Sequence, residues 1–148
     1  MSSNAGPQAS ERYNPAVKAS LEQRVRSVCD GYEGIVAVYL FGSTARGTAR
    51  EESDVDIAVL FETDPPHRLN GPRFDLEGEL ERVLGRSVDL VVMNDAPADL
   101  RIRVLRDGQL LVDREPSHRI AFEVRTRNEA FDLEPVLTRY RAPREHSR

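Results

Sequence analysis

The chain has 148 residues, 39% of them hydrophobic and 31% charged, with a formal net charge of -4. That length suits one domain with a real hydrophobic core, and the weakly acidic balance argues against a protein whose main work is tracking a phosphate backbone. Cys29 is the one cysteine, which excludes an internal disulfide and a Cys-rich zinc site; no segment approaches the length of a membrane span, and a reducing cytoplasm is the expected location.

Residues 1–13 hold too little apolar surface to offset the entropy of ordering and are expected to be a disordered tail. A single domain is expected over 14–140, followed by a loose basic tail at 141–148. Asn14-Pro15 starts the first helix, with Val17, Leu21, Val25 and Val28 on one face, Cys29 as a small buried hydrophobe and Asp30-Gly31 as its end. The run IVAVYLF, Ile35 to Phe41, is rich in β-branched and aromatic residues and reads as a buried strand. Gly42-Ser43 ends it, Thr44 to Arg46 makes one helical turn before Gly47, and a second strand runs from about Asp54 to Phe61.

The stretch ETDPPHRLNGP, Glu62 to Pro72, reads as a mobile loop. Phe74, Leu80, Val83 and Leu84 predict a helix stopped by Gly85, with Gly78 as a weak spot. SVDLVVM, Ser87 to Met93, predicts a third strand. Pro97 opens a helix carrying Leu100, Val104 and Leu105, Gly108 closes it, and Gln109 to Val112 adds a short strand. From Ser117 to about Tyr140 the chain reads as helical, broken in two at Pro135, with Ile120, Val124, Phe131, Val136, Leu137 and Tyr140 as its apolar set. These elements predict an α/β (α+β) domain with a small mixed central sheet flanked by helices.

Chemistry concentrates in YLFGSTARGTAREESDVDIAVLF, Tyr39 to Phe61. Strand side chains two apart share a face, so Asp54 and Asp56 present their carboxylates side by side while Val55, Ile57 and Val59 face apolar packing. Paired hard oxygen ligands suit Mg²⁺ or Mn²⁺. Gly42 allows a sharp turn and close approach of the backbone to a ligand, Ser43 adds a hydroxyl, and Arg46 brings a guanidinium to a phosphate bound there. A phosphate seat beside a divalent-metal seat implies a nucleoside triphosphate. Two metals held about 4 Å apart need a third carboxylate; Asp89 in the third strand is the best candidate, with Asp95 in reserve as turn or cap chemistry. His67, His118 and His146 have no metal-ligand spacing, and the arginines within 101–106 and 119–127 read as solvated helix faces.

Gly42-Ser43, ten residues, then Asp54-Val55-Asp56 resembles the GS-x10-DxD signature of polymerase-β-like nucleotidyltransferases, and GSTARG with SDVDI resembles its minimal branch. Further along, LGRSVDLVVMNDAP, LRDGQLLV and RIAFEVRTRNEAFDL resemble in order the rest of the MntA-like antitoxins of HEPN/MNT toxin-antitoxin pairs. The resemblance implies the polymerase-β-like fold and an adenylyltransferase that moves AMP from ATP onto a tyrosine of a cognate HEPN ribonuclease toxin, in a hetero-oligomeric complex. It places Asp54, Asp56 and Asp89 as catalytic metal ligands for two Mg²⁺ ions, with Mn²⁺ able to substitute. Gly42 and Ser43 then bind the nucleotide, as do Arg46, Gly47 and Ser53 by position.

Two other functions are weighed against this one. A small-molecule nucleotidyltransferase of the aminoglycoside kind needs an acceptor pocket, commonly supplied by a second domain for which 148 residues leave little room. A binding antitoxin neutralises by covering its toxin, and the apolar set from Ile120 to Tyr140 offers a surface for it. Core packing against the sheet is the expectation for most of those residues.

Overall fold

Ile35–Phe41 forms the centre of the fold in the computed structural model, which describes residues 14–47, 53–66 and 71–141, the last ten as backbone alone. The elements are α1 (Pro15–Asp30), β1 (Ile35–Phe41), α2 (Gly42–Arg46), β2 (Val55–Phe61), α3 (Pro72–Leu84), β3 (Val88–Val92), α4 (Ala98–Asp107), β4 (Gln109–Asp113) and α5 (Pro116–Arg141). The expected tail at 1–13, 67–70 of the expected loop, and all of the expected 141–148 tail except Arg141, which ends α5, lie outside the described residues.

The sheet runs β3-β2-β1-β4. β1 is antiparallel to β2 and to β4, while β2 and β3 are parallel, joined through α3. Every residue of β1 is buried, as expected of a continuous apolar run covered on both faces. On one face, Leu21, Val25, Val28 and Cys29 of α1 and Leu76, Leu80 and Leu84 of α3 pack on Val55, Ile57, Val59, Val88, Leu90 and Val92. On the other, Val104 of α4 and Phe122 of α5 pack with Val36, Tyr39, Phe41, Ala58 and Leu60. Burial pushes the Cys29 thiol up to about 12, in keeping with an inert packing role.

Helix boundaries follow local chemistry. The Asn14 side chain accepts from the Ala16 amide at 3.0 Å, with Pro15 at the first helical position. α3 ends at Gly85, whose φ of +65° suits glycine. α5 is anchored by the Tyr39 hydroxyl, which donates to Glu123 at 2.9 Å, and by Arg119, which donates to Asp113 at 2.9 Å and to Glu123 at 3.1 Å. The Arg101 guanidinium lies 5.3 Å from the centroid of the Phe122 ring and tightens α4 against α5.

Four expectations are corrected. Val17 shares the Leu21 face but is 57% exposed, because it lines an open recess with Ser20, Leu21, Arg24, Leu84 and Arg86 instead of a neighbouring core. Phe74 is exposed and Leu76 is buried in its place: Leu76, Leu80 and Leu84 recur every four residues, and Phe74 falls on the opposite side of that helix. α5 continues through Pro135 as one helix, Pro116–Arg141: the proline removes one backbone hydrogen bond and crowds the carbonyl four residues earlier, a cost of about 3 kcal/mol that does not end the helix here. Ile120, Val124 and Phe131 are 49%, 49% and 73% exposed and so do not pack on the sheet. Phe122 and Thr126, four residues apart, form the inward face of α5, and the three apolar residues point the other way.

The α3 correction is directly measurable. Leu76→Ala is expected to cost about 3 kcal/mol in urea unfolding, and Phe74→Ala less than about 0.5 kcal/mol. Equal losses would contradict the inward face assigned to α3.

Candidate active site

Alternation along β2 sends Val55, Ile57, Val59 and Phe61 toward α1 and α3, and so places Asp56 on the face that carries α4 and α5. β3 repeats the pattern: Val88, Leu90 and Val92 point to the first face, and Asp89 to the same face as Asp56. The parallel register pairs Asp56 with Asp89 directly, and adjacent strands lie about 4.8 Å apart. Asp54 immediately precedes β2. The antiparallel register with β1 sets Phe41 opposite Asp56, which brings the chain at Gly42 over the carboxylate.

That approach explains Gly42. Its φ is +70°, and a Cβ there would overlap Asp56 Oδ2 and stand 3.0 Å from Asp56 Cγ. Only a residue without a side chain lets the turn close on the carboxylate. α2 follows at once, with Ser43 partly exposed, Thr44 buried and Gly47 ending the helix at φ +73°. The Lys18 ammonium donates to the Ala45 carbonyl at 3.3 Å and ties α2 to α1.

The electrostatics mark Asp56 as the focus. Partial burial raises its carboxyl above the usual range, the charges of Asp89 and then Asp54 raise it further, and the Arg46 guanidinium opposes them. Arg46 also acts on Asp107 at the end of α4, where the Arg106 hydrogen bond is the main cause of a lowered carboxyl. Of the residues expected at the site, the structure thus brings together Gly42, Arg46, Asp54, Asp56 and Asp89. Gly47 serves as the end of α2, and the Ser53 carbonyl accepts from Arg86 at 2.7 Å. Asp95 lies in the turn beyond the far end of β3, away from the other carboxylates.

Among the described residues no three His, Cys, Asp or Glu side chains converge as a ready-made metal cage. Asp54, Asp56 and Asp89 form an open edge of oxygen donors instead. That arrangement fits a hard divalent ion, which keeps waters and accepts phosphate oxygens as further ligands. Arg86 and Lys18, both bonded to carbonyls beside the site, were not singled out in the sequence: Lys18 belongs to no motif, and Arg86, although inside LGRSVDLVVMNDAP, had no role assigned to it.

Residues 23–117 match the family model described as Polymerase beta, Nucleotidyltransferase. With that match spanning most of the chain, and with the carboxylates and glycine turn in place, the protein belongs to the polymerase β nucleotidyltransferase family. Within it, the chain is 42% identical over 74 residues to the protein adenylyltransferase MntA of Thermococcus cleftensis, a stretch that is 50% of this chain and 72% of that one. Its fold is similar to that in a crystal structure of a toxin-antitoxin with AMP-PNP, with a TM-score of 0.66, 27% identity, and coverage of 82% of this chain and 98% of that one. A structure of the tri-AMPylated Shewanella oneidensis HEPN toxin in complex with MNT antitoxin shares the fold at 24% identity, with a TM-score of 0.63 over 84% of this chain and 99% of that one.

The crowding of the carboxylates has a thermodynamic sign. Because Asp56 has its folded pKa raised above the unfolded value of ~3.9, its stabilising contribution is full below that value and is lost as pH rises through the folded pKa. Asp56→Asn is therefore expected to raise the melting temperature of the metal-free protein at pH 7 by a few degrees. The gain should shrink as the pH is lowered toward ~4. Scanning calorimetry across that range checks it, and a lower melting temperature for the variant at pH 7 would contradict the repulsion.

Proposed function

We propose that the protein is the antitoxin of a toxin-antitoxin pair, and that it neutralises a cytoplasmic HEPN ribonuclease toxin by transferring AMP from ATP to a toxin tyrosine. The observation that carries this reading is the convergence of Gly42, Asp56 and Asp89 at one end of the sheet, in a chain 42% identical over 74 residues to a protein adenylyltransferase. Residues 14–140 form the catalytic unit.

In this reading Asp54, Asp56 and Asp89 hold two Mg²⁺ ions, for which Mn²⁺ substitutes. When bound, the ions neutralise phosphate charge and lower the pKa of the attacking hydroxyl. Gly42 leaves room for the triphosphate and Ser43 donates to it. Arg46 places its guanidinium on the phosphates, and Gly47 and Ser53 complete the nucleotide-binding rim. Asp89, exposed on β3 beside Asp56, orients the tyrosine hydroxyl, whose ordinary pKa near ~10 requires help in losing its proton. The tyrosine oxygen forms a bond to the α-phosphorus, the bond from that phosphorus to the bridging oxygen breaks, and pyrophosphate leaves. The hydroxyl proton goes to solvent through the carboxylate edge.

A second reading, neutralisation by binding alone, is favoured by one observation: the outward stripe of Ile120, Val124 and Phe131 on α5. Apolar residues on a helix face away from its own core fit a protein partner, here the toxin. α5 packs on the same sheet face as the carboxylates but toward the other end of β2 and β3, so a toxin held on that stripe reaches along the face to meet the site.

Two experiments separate the readings. Intact mass spectrometry of the partner after incubation with this protein, ATP and Mg²⁺ should show added AMP masses, and Asp56→Ala should lower the transfer rate by orders of magnitude. Neutralisation that survives Asp56→Ala in full would favour binding alone. Ile120→Asp with Val124→Asp should weaken the complex by roughly 100-fold, since loss of central apolar contacts commonly costs 2 kcal/mol or more. These two changes should leave the melting temperature of the isolated protein unchanged; undiminished binding would remove α5 from the interface.

A further inference from the structure

Asp54 is exposed and lies one residue before β2 begins, so neither packing nor sheet hydrogen bonding of its own holds its side chain in place. The main chain around it is nevertheless gripped on both sides by the turn between α3 and β3. Arg86 Nη2 donates to the Ser53 carbonyl at 2.7 Å, and the Val55 amide donates to the Ser87 carbonyl at 2.9 Å. Residues 53 and 55 are thus tied to residues 86 and 87, and Asp54 is the residue between them.

We propose that Arg86 is a positioning residue for the carboxylate edge: its bond to Ser53 fixes the main chain at Asp54, so that Asp54 and Asp56 present their oxygens to the same side. A guanidinium suits the task. Its bond to a carbonyl is charge-assisted and short, and its planar fork loses less freedom on binding than a lysine would. The Arg86 bond to Ser53 is made with the main chain, whereas Arg46 is the cation that acts on the Asp56 charge. Arg86 therefore governs where the donors stand. Supports of this kind commonly matter to metal affinity nearly as much as the ligands do. The proposal rests on the metal-dependent reading of the site.

The test measures Mn²⁺ binding to the full chain by electron paramagnetic resonance, in the presence of a non-hydrolysable ATP analogue, alongside melting temperature. Wild type and Asp56→Ala test the site itself: if wild type binds no better than Asp56→Ala, the metal-site reading falls and this proposal with it. Given wild-type binding, Arg86→Ala is expected to weaken Mn²⁺ affinity by about 10-fold or more, and Arg86→Lys, which restores a cationic donor, to recover part of the loss. Arg114→Ala is the structural control. Arg114 also bonds carbonyls, those of Tyr32 at 2.6 Å and Cys29, but at the opposite end of β1 from Gly42. It should lower the melting temperature and leave Mn²⁺ affinity unchanged. Folded Arg86→Ala with wild-type affinity overturns the proposal; should that variant not fold, Arg86→Gln, which keeps a neutral donor, is judged by the same criterion.

Discussion

Two carboxylates occupy paired positions on neighbouring parallel strands, Asp56 on β2 and Asp89 on β3, with Asp54 beside them. In a sheet this arrangement works against folding: like charges about 4.8 Å apart in backbone spacing repel, and partial burial adds to the cost. The surrounding structure keeps them there. The apolar residues of β2 and β3 leave no freedom of register, since a slip of one residue would send Val55, Ile57 and Val59 to the wrong face. Core packing therefore enforces an electrostatically poor arrangement, and Arg46 relieves only part of it. Crowded carboxylates of this kind favour a cation placed among them.

The two faces of the sheet divide the work. The face under α1 and α3 is a continuous apolar layer in which Val25, Leu76 and Leu80 are fully buried. It sets the register. The face under α4 and α5 is held more by polar ties, Tyr39 to Glu123 and Arg119 to Asp113 and Glu123, and bears the carboxylates at its edge. Gly42 stands at the junction. Closing the turn on Asp56 needs both the positive φ and the missing Cβ, so the same residue ends β1 and shapes the site.

Much of this was legible in the residues, for identifiable reasons. β1 was readable because IVAVYLF is too short and too continuous for a surface helix, and it spans Ile35–Phe41 as expected. The Asp54 and Asp56 pair was legible from the period of a strand, and Asp89 from the cost of a charge in an apolar run. Register was not readable, because pairing is a property of two segments; only the structure sets Asp56 against Asp89. Helix faces were misjudged where apolar residues fell on both sides. In α3, Phe74 masked the Leu76, Leu80 and Leu84 series. In α5, Ile120, Val124 and Phe131 do fall on one helical face, but periodicity identifies a face without saying what covers it. Arg86 falls inside LGRSVDLVVMNDAP, but its role was not readable, since a bond to a main-chain carbonyl can be made from many positions by any long donor.

The outward stripe on α5 and the open edge of carboxylates share a physical meaning. Each is an unfavourable exposure that the described residues leave in place: apolar surface in water in one case, crowded charge in the other. A domain that buries Leu76, Leu80, Val25 and the whole of β1 has the means to cover Ile120 and Val124 as well, for example with polar residues at those positions. Both exposures lie on the α4 and α5 side of one sheet, the carboxylates at one end of β2 and β3 and α5 toward the other. An acceptor protein resting on α5 and a nucleotide with its cations resting on Asp54, Asp56 and Asp89 would relieve both, and the chain would need no acceptor pocket of its own.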